Sequence, residues 1–312
     1  MADLNNTTTD GSASAVVNTS ASSSTSNTTN TSNTSFLAHI RYVIVSNPVT
    51  LLAMSLFAVI ILTAIVGPYV VPYDPLASTA QALTPPSWQH WFGTDHLGRD
   101  VFSRVVVATR LDLMISVSAV ALSFVVGASL GGIAGYWGGW LDSTFGRMMD
   151  TIMAFPLFVL AMGIVAASGN TIQNVVIATA IINLPFYARV ARAEVVVRRQ
   201  AGWVQAAQLA GNGSWRILFG RILPNALPPM MVQISLNMGW AILNAAGLSF
   251  IGLGVRPPTA EWGIMVAEGA SYIVSGQWWL VLFPGAALML AVFTFNLLGD
   301  GLRDIVDPQR RT

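Results

Sequence analysis

The sequence alternates long apolar runs with polar segments from about residue 49 to its end. A helix needs about 20 predominantly apolar residues to cross a membrane. Six runs approach or exceed this length, and proline or polar residues interrupt the third and fourth. The predicted spans are Val49–Val71, Leu113–Ala134, Met148–Ala167, Val175–Ala188, Ala226–Ile251 and Trp278–Leu298. The pattern therefore predicts an all-α membrane protein with six transmembrane helices.

The polar segments divide the chain further. Residues 1–35 are mostly Asn, Thr, Ser, Ala and Gly, and such a segment cannot bury enough apolar surface to become ordered, so we expect a disordered tail. Residues 36–72 form an N-terminal segment with the first span, and 73–110 a long loop. Residues 111–301 form the core, which contains a second long loop at 189–225, and 302–312 form a short tail.

The distribution of charge predicts the orientation. All 15 basic residues are Arg. With the N-terminus inside, eleven of them fall in predicted cytoplasmic segments and four outside. Because cytoplasmic loops are enriched in basic residues, we expect both termini and the loop 189–225 to be cytoplasmic, and the loop 73–110 to be external. A plasma membrane location follows.

Composition excludes several function classes. The chain is 54% apolar and 9% charged, with a net charge of +1, so nucleic acid is not an expected partner. It has no Cys for thiolate metal ligation and no Lys for a phosphate-binding P-loop. No HExxH motif, Ser–His pair or pair of Asp residues lies within the spans. We therefore predict no catalytic residue, metal site or resident cofactor.

The loop 189–225 predicts two helices separated by a sharp turn. Residues 194–211 have helical composition, with Gly211 placed as a C-cap. Ser214 is placed to cap a second helix, which Pro224 is expected to end. From this pattern alone, a helix that docks a cytosolic partner and an amphipathic connector on the lipid surface are about equally well supported.

Three polar residues recur along the fifth predicted span. Gln233, Asn237 and Asn244 lie within about 40° of one another on a helix. Buried polar groups in lipid face the bundle interior or a water-filled cavity. The stripe therefore predicts either a translocation path or interhelical hydrogen bonds that hold the bundle together.

Four segments carry a resemblance to a known family. Residues 205–225 read QAA, then Gly211 after three residues, then Arg-Ile-Leu-Pro-Asn from Arg221, and resemble the EAA loop of ABC importer permeases. Gln205 stands where that family usually has Glu. Residues 92–104, 248–263 and 295–308 are similar to segments of the C-type subunit of dipeptide and oligopeptide permeases.

This resemblance implies a fold and a function. The fold is a five-helix permease core preceded by one extra span. The subunit would pair with a homologous B-type permease, two cytosolic ATPases that hold ATP and Mg, and an external solute-binding protein. The substrate would be a di- or oligopeptide, with glutathione or a nickel chelate as alternatives. The implied coupling residues are Gln205, Ala206, Ala207, Gly211, Arg221 and Pro224.

The first long loop offers a further candidate site. Asp95, Arg99 and Asp100 can form a local charge-paired cluster, which would either dock the binding protein or simply hold the loop folded. Trp262 is expected to anchor the segment after the fifth span at the membrane interface. A rival function is an ion-coupled secondary transporter, which usually needs an ionisable residue within the membrane. Asp150, at a span end, is the nearest candidate.

Overall fold

The computed structural model describes residues 47–306, and the side chains of residues 47–303. Within that range it contains ten α-helices and one π-helical turn. They are α1 Pro48–Val70, α2 Val101–Trp137, α3 Gly139–Ala154, α4 Leu157–Ser168, α5 Ile172–Arg198, α6 Gly202–Leu209, α7 Ser214–Ile217, the π-turn Leu218–Ile222, α8 Leu223–Phe250, α9 Trp262–Ala270 and α10 Trp279–Val306. The predicted all-α fold is confirmed. The predicted tail at 1–35 and residues 307–312 lie outside the described part.

Five helices are long and apolar enough to cross a membrane: α1, α2, α5, α10 and the continuous stretch Ser214–Phe250 that contains α7 and α8. The bent pair α3 and α4 brings the number to six if it is one span. The helices alternate in direction, which gives the bundle two distinct ends. The long-loop end carries residues 71–100 and 251–278, and the short-helix end carries residues 199–213.

The third predicted span, Met148–Ala167, is not a single helix. It breaks between Ala154 and Leu157, and α3 meets α4 at 90°. Phe155 is extended and Pro156 stands at the N-cap of α4. Pro156 disfavours helical backbone at the preceding residue and has no N–H to continue the hydrogen-bond ladder, so the chain turns there.

Two other boundaries differ from the prediction. The loop expected over 73–110 ends early, since α2 begins at Val101 and not near Leu113. The Asp100 carboxylate caps this helix by accepting the Ser103 N–H at 2.8 Å. The fourth span is longer than Val175–Ala188, because Thr171 caps α5 at one end and the helix runs through Pro185 to Arg198.

The predicted pair of loop helices is also corrected. The helix expected over 194–211 is split by a turn at Arg199–Ala201, where α5 ends and α6 begins. Ser214 lies inside α7, whose N-cap is Gly213. Pro224 does not end the second helix. It lies in the first turn of α8, directly after the π-turn, where its missing N–H interrupts no α-helical hydrogen bond.

Glycines bring α2 and α5 into direct backbone contact. A Cβ atom built at three glycines of α2, spaced four residues apart, would lie within 3 Å of a carbonyl oxygen of α5. The pairs are Gly127 with Leu184 O at 2.8 Å, Gly131 with Ala188 O at 2.1 Å and Gly135 with Arg192 O at 2.8 Å. Small residues allow such close approach between membrane helices, where van der Waals packing drives association.

This contact generates a stability prediction. Gly131→Ala forces the two backbones apart and should lower the free energy of unfolding by about 2 kcal/mol or more. Thermal unfolding of the purified chain in detergent measures the change. Gly163→Ala, on α4, is the matched control because nothing lies within 4 Å of its added Cβ. An equal loss of stability in both variants would contradict the role of the glycine contact.

Candidate functional site

A cavity lined by amide side chains lies near the middle of three spanning helices. It has a volume of about 360 Å³ and includes the predicted stripe Gln233, Asn237 and Asn244 of α8. Asn183 of α5 and Asn296 of α10 complete the set of amides. We call these five residues and their space the amide cavity. Phe186 and Trp240 are among its apolar lining residues.

The amides form hydrogen bonds within their own helices. Gln233 Nε2 donates to Asn237 Oδ1 at 3.1 Å, one turn along α8. Three Asn side chains each donate from Nδ2 to the main-chain carbonyl four residues earlier. These bonds are Asn183 to Thr179 O at 2.8 Å, Asn244 to Trp240 O at 2.9 Å and Asn296 to Val292 O at 2.9 Å.

The hydrogen bonds of Asn183, Gln233, Asn244 and Asn296 stay within their own helices, whereas Asn237 of α8 interacts with the Tyr187 hydroxyl of α5. The stripe therefore lines a cavity and also contacts a neighbouring helix at Asn237, so each of the two predicted alternatives has an observation in its favour in the described part of the chain. Asn183 and Asn296 were not predicted as site residues. The available signal was an amide near the middle of an apolar span, but the spacing of one helix does not show which residues of other helices face the same space.

At the short-helix end, α6 projects as a capped helix with one exposed face. Gln205, Ala206 and Leu209 are exposed, and the Leu209 side chain has 90% of its surface accessible. Gly211 has a φ of +80°, in the left-handed region that favours glycine. Its N–H donates to Gln208 O at 2.9 Å. The prediction that Gly211 ends this helix is confirmed.

The other face of α6 packs against the bundle. Val204 and Ala207 are buried in an apolar cluster with Ile217, Leu218 and Ile222 of α7 and the π-turn. Ala207 therefore faces the protein interior, unlike Gln205 and Ala206. The sequence pattern does not distinguish two neighbouring alanines, but the 100° rotation between them places one inside and one outside.

A second connection holds α6 to α2. Arg199, in the turn before α6, donates from Nη1 to Gly135 O at 3.0 Å and to Tyr136 O at 3.1 Å. These carbonyls lie at the end of α2, where they have no intrahelical partner. Arg221 and Pro224, the remaining predicted coupling residues, are exposed beyond α6.

The charged cluster predicted at the long-loop end is buried. Arg99 donates from Nε to Asp95 Oδ2 at 2.6 Å and pairs through Nη2 with Glu268 Oε2 of α9 at 3.3 Å. Arg104 lies 3.7 Å from Asp95 and 3.8 Å from Glu268. Both guanidinium groups are almost fully covered. The cluster therefore joins the long loop to α2 and α9. This arrangement agrees with the alternative in which the charged residues hold the loop folded.

Asp100 and Trp262 are buried as well. Asp100 caps α2 and contacts His90 Nδ1 at 2.8 Å, so it is not paired with Arg99. Trp262 is not an interface anchor: it is 2% exposed, and its indole N–H donates to Val105 O at 3.1 Å. Its main-chain N–H donates to Asp112 at 3.2 Å, which draws the start of α9 into the bundle.

Glu261 caps α9 in the same buried region. It accepts the Gly263 and Ile264 N–H groups at 2.9 and 2.8 Å. Burial raises the pKa of the Glu261 carboxyl above its ordinary value, and the two hydrogen bonds oppose that shift. Neither Glu261 nor the buried Asp112 of α2 was among the predicted site residues, because local sequence does not reveal burial by a distant helix.

One group of side chains has the composition of a cation site. Ligand atoms of Asp95, His96 and Glu268 lie within 4.8 Å of one another. The guanidinium groups of Arg99 and Arg104 already pair with both carboxylates. Their positive charge opposes the binding of a metal ion at this position.

Comparison with known proteins identifies the architecture. Residues 127–312 match the family described as binding-protein-dependent transport system inner membrane component. The chain belongs to this family. It is a multi-pass permease subunit of the cytoplasmic membrane, and the match covers the amide cavity and α6.

Individual relatives extend the similarity over most of the permease. This chain is 43% identical over 273 residues to the probable D,D-dipeptide transport system permease protein of Escherichia coli. The alignment covers 87% of this chain and 91% of the relative. The chain is 42% identical to the dipeptide transport system permease protein of Alkalihalophilus pseudofirmus, covering 86% and 88%. It is 39% identical to the glutathione transport system permease protein of Pectobacterium atrosepticum, covering 83% and 87%.

The buried charge cluster of the permease generates a prediction. Asp95→Asn removes a negative charge that faces two buried guanidinium groups and should lower the free energy of unfolding by about 3 kcal/mol. Thermal unfolding in detergent measures the loss. Asp74→Asn is the control because Asp74 is exposed and its replacement retains the oxygen that accepts the Leu76 N–H at 2.8 Å. Full stability of the Asp95→Asn protein would contradict a structural role for the cluster.

Proposed function

We propose that this permease forms half of the translocation path of an ATP-driven peptide importer and performs no chemistry itself. The observation that carries the proposal is the exposed face of α6, a capped helix that projects from the bundle and is held rigidly to the helices behind it. The short-helix end would face the cytoplasm, in agreement with the excess of Arg in the segments predicted to lie there.

The partners follow from this arrangement. Two cytosolic ATPase subunits would supply ATP and Mg²⁺, since the chain has no Lys for a P-loop. One of them would receive Gln205, Ala206 and Leu209 in a surface groove. A homologous permease would close the path on the side of the bundle that exposes Trp240 and Leu243. An external binding protein would deliver the solute to the long-loop end.

The substrate class is supported by the relatives, several of which are named as dipeptide or peptide permeases. The amide cavity is compatible with this class because its polar groups are neutral hydrogen-bonding groups. One relative is named as a glutathione permease, and glutathione is itself a peptide. A peptide is therefore the common chemical class.

The mechanism would be alternating access. Closure of the ATPases displaces α6, and its packing on the π-turn carries the displacement into α8, which lines the amide cavity. Arg199 transmits the same displacement to α2. A movement of rigid helices of this kind can expose the cavity first to one side of the membrane and then to the other.

Leu209 provides a direct test of docking. Leu209→Arg places a charge on the apolar contact and should weaken the binding of the ATPase about tenfold, equivalent to ~1.4 kcal/mol. Co-purification of the ATPase subunits with the permease and ATP-dependent peptide uptake in proteoliposomes both report the loss. Leu209 is preferred to Ala207 because Ala207 is buried, so its substitution would disturb the fold.

The matched control is Val274→Arg, which introduces the same charge at a residue 97% exposed at the opposite end of the bundle. This variant should retain its ATPases. Equal co-purification in the Leu209→Arg and unaltered proteins would disprove docking through α6. Peptide uptake that continues without ATPase subunits would instead indicate a secondary transporter.

A further inference from the structure

The amide cavity contains hydrogen-bonding groups that remain unused. Asn237 is 4% exposed, and its Nδ2 group makes no hydrogen bond of ordinary geometry among the described residues, although the Tyr187 hydroxyl of α5 interacts with this amide. Its Oδ1 atom already accepts from Gln233. The Asn237 NH2 group carries two N–H donors, of which the Tyr187 hydroxyl can accept one, so at least one buried donor is left, and a buried donor without a partner costs about 1–3 kcal/mol. A ligand that supplies a carbonyl oxygen would remove this cost.

The remaining amides present acceptors. Asn183, Asn244 and Asn296 each use Nδ2 to bond the carbonyl of their own helix. This bond uses one of the two N–H groups, fixes the orientation of the side-chain amide and leaves Oδ1 and the second N–H without a described partner. Three helices thus contribute amide oxygens to one space, together with Oε1 of Gln233. A ligand with both N–H groups and carbonyl oxygens is the complement of this set.

Charge is absent from the described lining of the amide cavity. Its residues are five amides and the apolar side chains of Leu157, Ile182, Phe186, Leu236 and Trp240. The ammonium or carboxylate terminus of a peptide finds no ion-pair partner there. The volume of about 360 Å³ lies within the range of about 300–1,000 Å³ typical of small-ligand sites.

We infer that the amide cavity binds the main chain of a peptide in transit, whatever its side chains. Asn237 Nδ2 donates to a peptide carbonyl, and the oxygens of Asn183, Asn244 and Asn296 accept peptide N–H groups. This inference rests on the proposed function. It goes further by naming the part of the substrate that the permease contacts, which is the peptide main chain. It separates main-chain contact within the membrane from any selection of side chains by the binding protein.

Methylation of peptide nitrogen tests this assignment because it removes N–H donors and keeps the carbonyl groups. The complete importer is reconstituted in proteoliposomes and supplied with a neutral tripeptide or its analogue methylated at both peptide nitrogens. The analogue is chosen to bind the binding protein, and both peptides are used at saturation. We expect the unaltered importer to take up the methylated peptide about fivefold more slowly, as two lost hydrogen bonds require.

Variants of the permease distinguish acceptors from the donor. Asn244→Leu removes an acceptor and should reduce the fivefold preference to about twofold, with Asn296→Leu as a second acceptor variant. Asn237→Leu removes the donor and should slow the uptake of both peptides by the same factor. Gln173→Leu, an exposed amide outside the cavity, is the matched control and should retain the full preference. Yield of the assembled complex and its ATPase activity confirm that each variant folds.

Three outcomes would overturn the inference. The first is equal uptake of the two peptides by the unaltered importer, and the second is a full preference retained in both acceptor variants. The third concerns Tyr187, whose buried hydroxyl interacts with the Asn237 amide. If Tyr187→Phe reproduced the effect of Asn237→Leu, the Asn237 amide would serve Tyr187 and not a peptide. Failure of the unaltered importer to take up either peptide would refute the proposed function itself.

Discussion

The backbone contact between α2 and α5 is the interaction on which the rest of the structure depends. Gly131 permits it, since any larger residue would meet the Ala188 carbonyl. The two helices form one rigid unit because their main chains touch without intervening side chains. Asn183, near the middle of α5, is thereby fixed at the amide cavity, and Arg199, just past its end, reaches the end of α2. One contact positions both functional regions.

A second constraint is that polar groups buried in a membrane protein need partners. The long-loop end and the amide cavity meet this constraint in different ways. At the long-loop end, Arg99 and Arg104 are paired with carboxylates and almost fully covered, so that region is a closed structural unit. In the amide cavity four of the neutral side chains bond their own helices, and at least one N–H of Asn237 is left without a partner among the described residues. Buried polar groups without a partner are rare in proteins, and we infer that a peptide supplies the partner here.

The two functional regions are joined by one helical element. The stretch Ser214–Phe250 begins under α6 and continues through the π-turn to the amides of α8. The π-turn at Leu218–Ile222 contributes the apolar surface on which Val204 and Ala207 rest. π-helical turns are rare and are frequently found at functional sites. A movement of α6 can therefore be transmitted to the cavity through one continuous helical stretch, without an intervening loop.

The sequence by itself determined five of the spans apart from their ends, the polar stripe on α8 and the end of α6 at Gly211, because apolar run length, helical spacing and glycine's left-handed conformation are local properties. It did not determine the 90° bend at Pro156, since a proline within an apolar run is compatible with both a kink and a break. It also did not place Asn183 and Asn296 beside Asn237, or bury Trp262 and Ala207. Periodicity shows which residues share a face of one helix, but only the packing of helices decides whether that face meets lipid, a cavity or another helix.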